Sequence, residues 1–451
     1  MRSLFLAGGA LALASFAAPA LADTSSREVQ SAVDAYLASS KADASLVGGA
    51  GQAGYDGGFW IRGGSFLLKI NLTLQARWEG FDWDDSSREP SPGGDLSGFS
   101  LPRATLKFSG DATCDVHYYA ELEFGHAGRN DGLSPVIRDV GQVDAGVIIG
   151  GPIEGDQTGN SEQLYGVLRE GWIEYETSPY AIFRMGLVKT PTTRQLMTPP
   201  EMQQFVDISM ASAFIGETMP GFSDRNRDYG FLLHGAFGCD GEWQYMLGVT
   251  NGDGIVHRNV LDGTTDDCFA YSARVNWDIK GHLGYEEGAL RSHECEWAAS
   301  IGAWAHYYTD HERENPFLKF ADRLTWGVDA AFAWGGFSFT AAYSAVNWEP
   351  PTGSSFDATS YLVQAGYLFP GTAWEIAARY SAYDTDDNNV SGQEIGVAVN
   401  YYIDGHADKV TLDVAMITSD DVNFLGSLYP GYAPSFDSDA VLVRLQWQLA
   451  L

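Results

Sequence analysis

The chain has 451 residues, with 59 acidic against 27 basic side chains and a formal net charge of −32. An acidic excess of that size excludes a nucleic-acid partner, which requires basic patches. The 52 glycines and 13% aromatic residues suit strands, turns and interfacial rings better than helices.

Met1-Arg2-Ser3 places one positive charge before the apolar run Leu4 to Ala18, and Ala20-Leu21-Ala22 has the small-x-small pattern of a cleavage site. Residues 1–22 are expected to be a signal peptide, with the mature chain starting at Asp23. That run is too short to cross a bilayer as a helix, and no later run reaches about 18 apolar residues. On this feature alone a secreted soluble enzyme fits equally well.

Residues 24–47 hold Val29, Val33, Tyr36 and Leu37 at helical spacing, followed by the Gly-rich stretch Gly48 to Gly58. The expectation is a short N-terminal periplasmic helix and linker over 23–58. Gly49 to Gly54 satisfies G-x-G-x-x-G, but no strand precedes it and no helix follows, so a dinucleotide site lacks its context and no cofactor is expected.

From Ser65 the period becomes two. Phe66, Leu68, Ile70, Leu72, Leu74, Ala76 and Trp78 fall on one face, and Lys69, Asn71, Thr73, Gln75, Arg77 and Glu79 on the other. The pattern recurs to the last residue in segments near the ~10 residues of a tilted membrane strand. The predicted strands are 65–79, 99–109, 116–125, 166–176, 181–189, 228–237, 243–250, 269–278, 297–308, 323–334, 337–347, 359–369, 374–383, 394–402, 409–418 and 439–451. This is an all-β fold, a transmembrane antiparallel β-barrel of about 16 strands over 59–451, with lipid of the outer membrane around it. An even strand number closes the sheet with no edge in the hydrocarbon. Short connections alternate with long ones at 80–98, 126–165, 190–227, 251–268 and 419–438; Asp278 to Glu296 is long for a periplasmic turn. Trp243, Tyr245, Tyr271, Trp277, Trp326, Trp334, Tyr361, Tyr367 and Trp447 share the apolar phase near strand ends, as interfacial girdles do. A sixteen-stranded barrel is wide enough for an aqueous channel.

The polar phase assigns Lys69, Arg77, Arg103, Lys107, Arg184, Lys189, Arg274, Arg379, Lys409 and Arg444 to the pore wall, opposite Glu121, Glu123, Glu170, Glu174, Glu176, Asp278, Asp329, Glu375, Glu394 and Asp413. The acidic excess therefore lies in loops such as Asp82-Trp83-Asp84-Asp85. Strands sixteen, one and two carry basic groups and strands three and four acidic ones. This gives either a sign-segregated wall with a transverse field or charges paired across strands. The loop Thr190 to Arg227 mixes Arg194, Arg225 and Arg227 with Phe205, Val206, Phe214, Ile215 and Met219. Folded inward it would hold guanidinium groups at a constriction, where they suit phosphate or carboxylate. Packed on itself it would cover the mouth.

Several blocks resemble the phosphate-selective porin O and P family: Arg184 to Pro191, Gln204 to Asp207, Arg227 to Gly230, Arg103 to Gly110, Leu247 to Gly252, Val363 to Tyr367 and Asn400 to His406. The resemblance, over roughly Gly57 to Leu451, implies a sixteen-stranded barrel, a homotrimer, an inward third loop and basic residues that guide anions. Anion-selective members carry a dense arginine ladder and a lysine cluster, where this chain has scattered basic positions.

The four cysteines, Cys114, Cys239, Cys268 and Cys295, match no metal spacing, and their pairing cannot be read from sequence. His282, His293 and Cys295 share one turn without a usual ligand set, so no metal is expected. No G-x-S-x-G is present, which disfavours an outer-membrane hydrolase. A surface adhesin anchored by the barrel would rely on the acidic loops instead. The reading reached is a porin for passive diffusion of small hydrophilic solutes, with a bias towards anions or phosphate, and no enzyme.

Overall fold

The computed structural model describes residues 51–83, 96–124, 148–149, 166–218, 226–252, 269–290, 297–308, 322–349, 355–386, 391–419 and 438–451. The helix expected over 24–47 lies outside the described residues. The chain divides into a small unit, Met1–Ala53 with Ile61–Gly64, and a large one, Gly54–Trp60 with Ser65–Leu451. Of the small unit only parts of two short strands, Gln52–Tyr55 and Phe59–Gly63, are described.

The large unit is a closed antiparallel barrel. Its sixteen wall strands are β1 (Phe66–Trp83), β2 (Leu96–Asp111), β3 (Val116–Glu123), β4 (Gly166–Ser178), β5 (Ala181–Lys189), β6 (Arg227–Phe237), β7 (Trp243–Thr250), β8 (Ala270–Lys280), β9 (Ala298–Tyr308), β10 (Asp322–Trp334), β11 (Phe337–Glu349), β12 (Phe356–Leu368), β13 (Trp374–Thr385), β14 (Ser391–Asp404), β15 (Asp408–Ser419) and β16 (Ser438–Ala450). Each pairs with its neighbour, and β16 returns to β1 with Leu445 opposite Trp78 and Gln448 opposite Gln75. Closure leaves no unpaired edge, the condition for a sheet in hydrocarbon.

Strict alternation makes the two faces. Along β8, Ser272, Arg274, Asn276 and Asp278 are buried on the inside while Tyr271, Val275, Trp277 and Ile279 are exposed on the outside. The outer face presents aromatic pairs near strand ends, such as Trp243 and Trp277 with centroids 5.2 Å apart, in keeping with interfacial girdles. Short turns gather at one end. At the tightest, Gly335 and Gly336 take φ of 57° and 91° between the paired Trp334 and Phe337, the left-handed geometry that a two-residue hairpin demands.

Register shifts at Glu176/Ser178, Asp278/Lys280 and Tyr402/Asp404 fall at strand ends, and two others lie within the wall. Between Gln75 and Arg77 of β1 the partner strand advances by an extra residue beside Pro102, whose missing N–H suits such a site. Between β3 and β4, Glu121 pairs with Glu170 but Leu122 with Leu168, so Arg169 is the additional residue. Both Arg169 and Glu170 are consequently buried on the inner side.

Candidate functional site

The segment after β5 turns into the barrel. Helix α1 (Arg194–Met197), a 3₁₀ turn (Pro200–Met202) and helix α2 (Met210–Thr218) fill much of the lumen. Its apolar residues explain the turn inward: Leu196, Ile208, Met210, Phe214 and Ile215 cluster with Val346, Tyr383, Ala415, Ile417 and Leu442 of the opposite wall. Phe214 stacks on Tyr383 with centroids 4.4 Å apart. Between the helices the chain is pinned through its backbone. Asn400 donates to Gln204 O at 2.9 Å, Arg379 to Asp207 O at 2.9 Å, and Val206 N to Asp413 at 3.1 Å.

A second segment enters from the opposite end. The long connection after β8, expected as a periplasmic turn, folds inward over 281–290. Tyr285 bonds Arg274 and Asn276, and Ala289 N donates to Glu375 at 3.1 Å. Glu287 accepts from Gln195, Gln204 N and Gln364 at 2.8, 2.9 and 3.0 Å. The length noted for this connection is thus accounted for: its polar groups satisfy buried donors of the wall and loop.

These two insertions divide the lumen by water access. On the wall of β8 to β16 three arginine–carboxylate pairs are dry: Arg274 with Asp329, Arg379 with Glu394 and Arg444 with Asp413 have side chains 0–2% exposed. On the side of β1 to β6 exposure is mixed: Arg77, Arg227 and Glu121 retain 4–6%, whereas Arg184 retains 21%, and Lys107, Glu201 and Asp207 retain 15% each. A charged belt follows that wetter side. Lys107 bonds Glu201 of the loop, and Asp207 accepts from Arg77 and Arg103 at 2.9 Å each. Arg169 meets Glu121 at 3.2 Å and Glu123 at 3.8 Å, Arg227 meets Glu170 at 3.3 Å, and Glu174 receives Arg184 at 2.7 Å and His234 at 2.9 Å. Arg184 also lies over the Trp172 ring, 3.9 Å from its centroid.

The sequence-derived positions distribute unevenly over this arrangement. Lys107, Arg77, Arg103, Arg184, Arg227, Glu121, Glu123, Glu170 and Glu174 meet in the belt, while Lys69 is exposed and Glu176 sits 3.6 Å from His117. Lys189 ends β5 partly exposed, its ammonium donating to Met197 O at 3.2 Å. Arg274, Arg379 and Arg444 are sealed beneath the inturned segments. Arg194, expected at the constriction, is buried at 3% and donates to Gly284 O, so it clamps the two insertions together rather than lining open space. Arg225, His293, Cys268 and Cys295 lie outside the described residues; His282 is exposed beside Asp278, and Cys114 and Cys239 are free and exposed. The segregated walls are interleaved with counter-charges, from Arg169 through its bulge and from Glu201 and Asp207 of the loop. Those three residues escaped sequence reasoning, although an Arg-Glu neighbour pair inside a strand was the available signal for the bulge.

Burial pushes the Glu201 carboxyl up, but the adjacent Lys107 ammonium and its direct hydrogen bond outweigh that effect and hold it below its ordinary value.

A closed, apolar-skinned barrel with an inturned loop and a partly exposed charged belt is the geometry of a diffusion pore. Residues 314–449 match the family of phosphate-selective porins O and P. The chain is a porin of the outer membrane. Two solved structures share the fold of this porin. An anion-selective porin from Comamonas acidovorans superposes with a TM-score of 0.52 at 11% identity, over 85% of this chain and 99% of that one. OprB of Pseudomonas putida gives 0.53 at 10% identity, over 85% and 94%. No curated protein matches the sequence. Family and fold are those of a channel rather than an enzyme.

Proposed function

We propose that this porin passes small hydrophilic solutes along the wall of β1 to β6, with a preference for anions. The observation that carries the path is the exposure of Arg184, Lys107, Glu201 and Asp207 on that side, set against the dry arginine–carboxylate pairs of β8 to β16. The anion preference is supported by the family resemblance and by Lys189. Among the described residues this lysine has no carboxylate within ion-pair distance, so it is a locally uncompensated basic group even though Glu79, 3.2 Å from Arg77, brings the belt's total charge to balance. Arg77, Arg103, Lys107, Arg184 and Arg227 on one sign, with Glu121, Glu123, Glu170 and Glu174 on the other, would line the path; Arg225 joins them only by its place in the loop.

Reversal potential in asymmetric salt, with and without phosphate, tests this. Anion preference that falls in Lys189→Gln supports the reading, and a cation-selective channel unaffected by phosphate overturns it. The sequence resemblance further supports a homotrimer, and the N-terminal pattern supports cleavage before Asp23 with a short periplasmic helix over 24–47.

A further inference from the structure

We propose that Arg323, His306 and Thr325, on the inner face of β9 and β10, form a resident site for one small oxyanion of the phosphate or sulfate type. The site lies apart from the charged belt, and the proposal does not depend on which solutes the pore conducts.

Arg323 is buried at 5% and His306 at 3%. Every other arginine described on the wall strands lies within 3.3 Å of a carboxylate oxygen or closer. Among the described residues Arg323 has none, and its Nε has no acceptor there. The guanidinium lies over the Trp348 ring, 4.2 Å from its central carbon to the ring centroid. Stacking fixes the plane of a guanidinium but leaves its edge, the fork that takes an oxyanion, without a partner. A buried charge left this way is strongly destabilising unless a counter-charge arrives.

The surroundings supply donors and withhold competing acids. Thr325 follows Arg323 on the same face of β10, and it pairs in register with His306, which pairs with Ser272 of β8. Thr325 Oγ1, His306 Nδ1 and Ser272 Oγ are all buried without a hydrogen-bond partner. One step deeper, Trp304 Nε1 is also unpartnered and lies over Gly327, where an added Cβ would come within 2.8 Å of it. Buried polar groups are satisfied in the great majority of cases, so several orphans in one patch call for a common ligand. Indole and guanidinium only donate, and hydroxyls can, so the ligand must be rich in acceptors. The first carboxylate along the inner face of β10, Asp329, has both oxygens occupied by Arg274 at 2.7 Å.

The test is thermal melting of the purified barrel in detergent, with inorganic phosphate or sulfate titrated against chloride at matched ionic strength. The wild type should gain a saturable rise of a few degrees with the oxyanion and not with chloride. Arg323→Met should lose that rise and, without oxyanion, melt no lower than the wild type, since it removes an uncompensated charge. Arg62→Met, exposed and not on a wall strand, should retain it. If Arg323→Met fails to fold, Thr325→Val should raise the half-saturating concentration several-fold. No oxyanion-specific rise in the wild type, an undiminished rise in Arg323→Met, or an unchanged half-saturation in Thr325→Val would overturn the proposal.

Discussion

Glu287, from the segment that enters at the turn end of the barrel, accepts the backbone N–H of Gln204, from the loop that enters at the other, at 2.9 Å. The two insertions therefore meet and brace each other inside the lumen. A backbone bond from Glu287 N to Met202 O at 3.0 Å reinforces the junction. Glu287→Ala would strip the acceptor from Gln195, Gln204 and Gln364, at about 1–3 kcal/mol for each donor left buried and unpaired. Single-channel recording should show larger and noisier conductance, with a lower melting temperature. A quiet channel of unchanged size would mean that the loop is held without this junction.

Asp207 is the counter-charge of Arg77 and Arg103. Asp207→Asn leaves both guanidinium groups facing the belt with a missing negative charge. A unit charge at about 4 Å is worth up to roughly 4 kcal/mol at intermediate dielectric before salt screening. The anion-to-cation permeability ratio, read from reversal potential, should rise at least about twofold at low salt, and less at high salt.

The pairing of Glu201 with Lys107 predicts an acid transition. Because the folded-state pKa of Glu201 is lowered, its contribution to stability is fully present above the ordinary carboxylate value and is lost as pH falls through the depressed one. Conductance should hold from neutral pH to below about 4.5 and change only beneath that. Glu201→Gln should show the acid behaviour at pH 7. A transition centred near neutrality would assign the latch to another group.

The free, exposed Cys114 and Cys239 sit in the short turns, which face the periplasm in barrels of this kind. With Cys268 and Cys295 replaced by serine, an impermeant maleimide should label them only after the outer membrane is permeabilised. Labelling in intact cells would invert the topology.

The strands were legible because a water-filled barrel imposes a period of two that nothing else in the chain competes with. Trp326 and Arg274 announce their faces by their chemistry. The candidate site was less legible, for identifiable reasons. Arg169 faces inward because an extra residue in β4 resets the phase, and a bulge leaves no trace in an alternation rule. Asp207 and Glu201 belong to a loop whose backbone path is set by tertiary contacts with Arg379, Asn400 and Lys409. The inward turn of 281–290 was visible only as an excess of length. Its driving groups, Tyr285 and Glu287, look like ordinary surface residues until their buried partners are known. Arg194 was misplaced because its side chain meets a second insertion, at Gly284, that the sequence did not disclose.

The central claim is that solutes pass along β1 to β6 and not along the sealed wall. Thiosulfonate modification of single cysteines, in a background lacking the native four, tests it directly. A charged reagent at Lys189→Cys should cut the conductance of an open channel within seconds to minutes, while Ser381→Cys, buried beside Glu394, should be unaffected. Block at position 381 with none at position 189 would contradict the account.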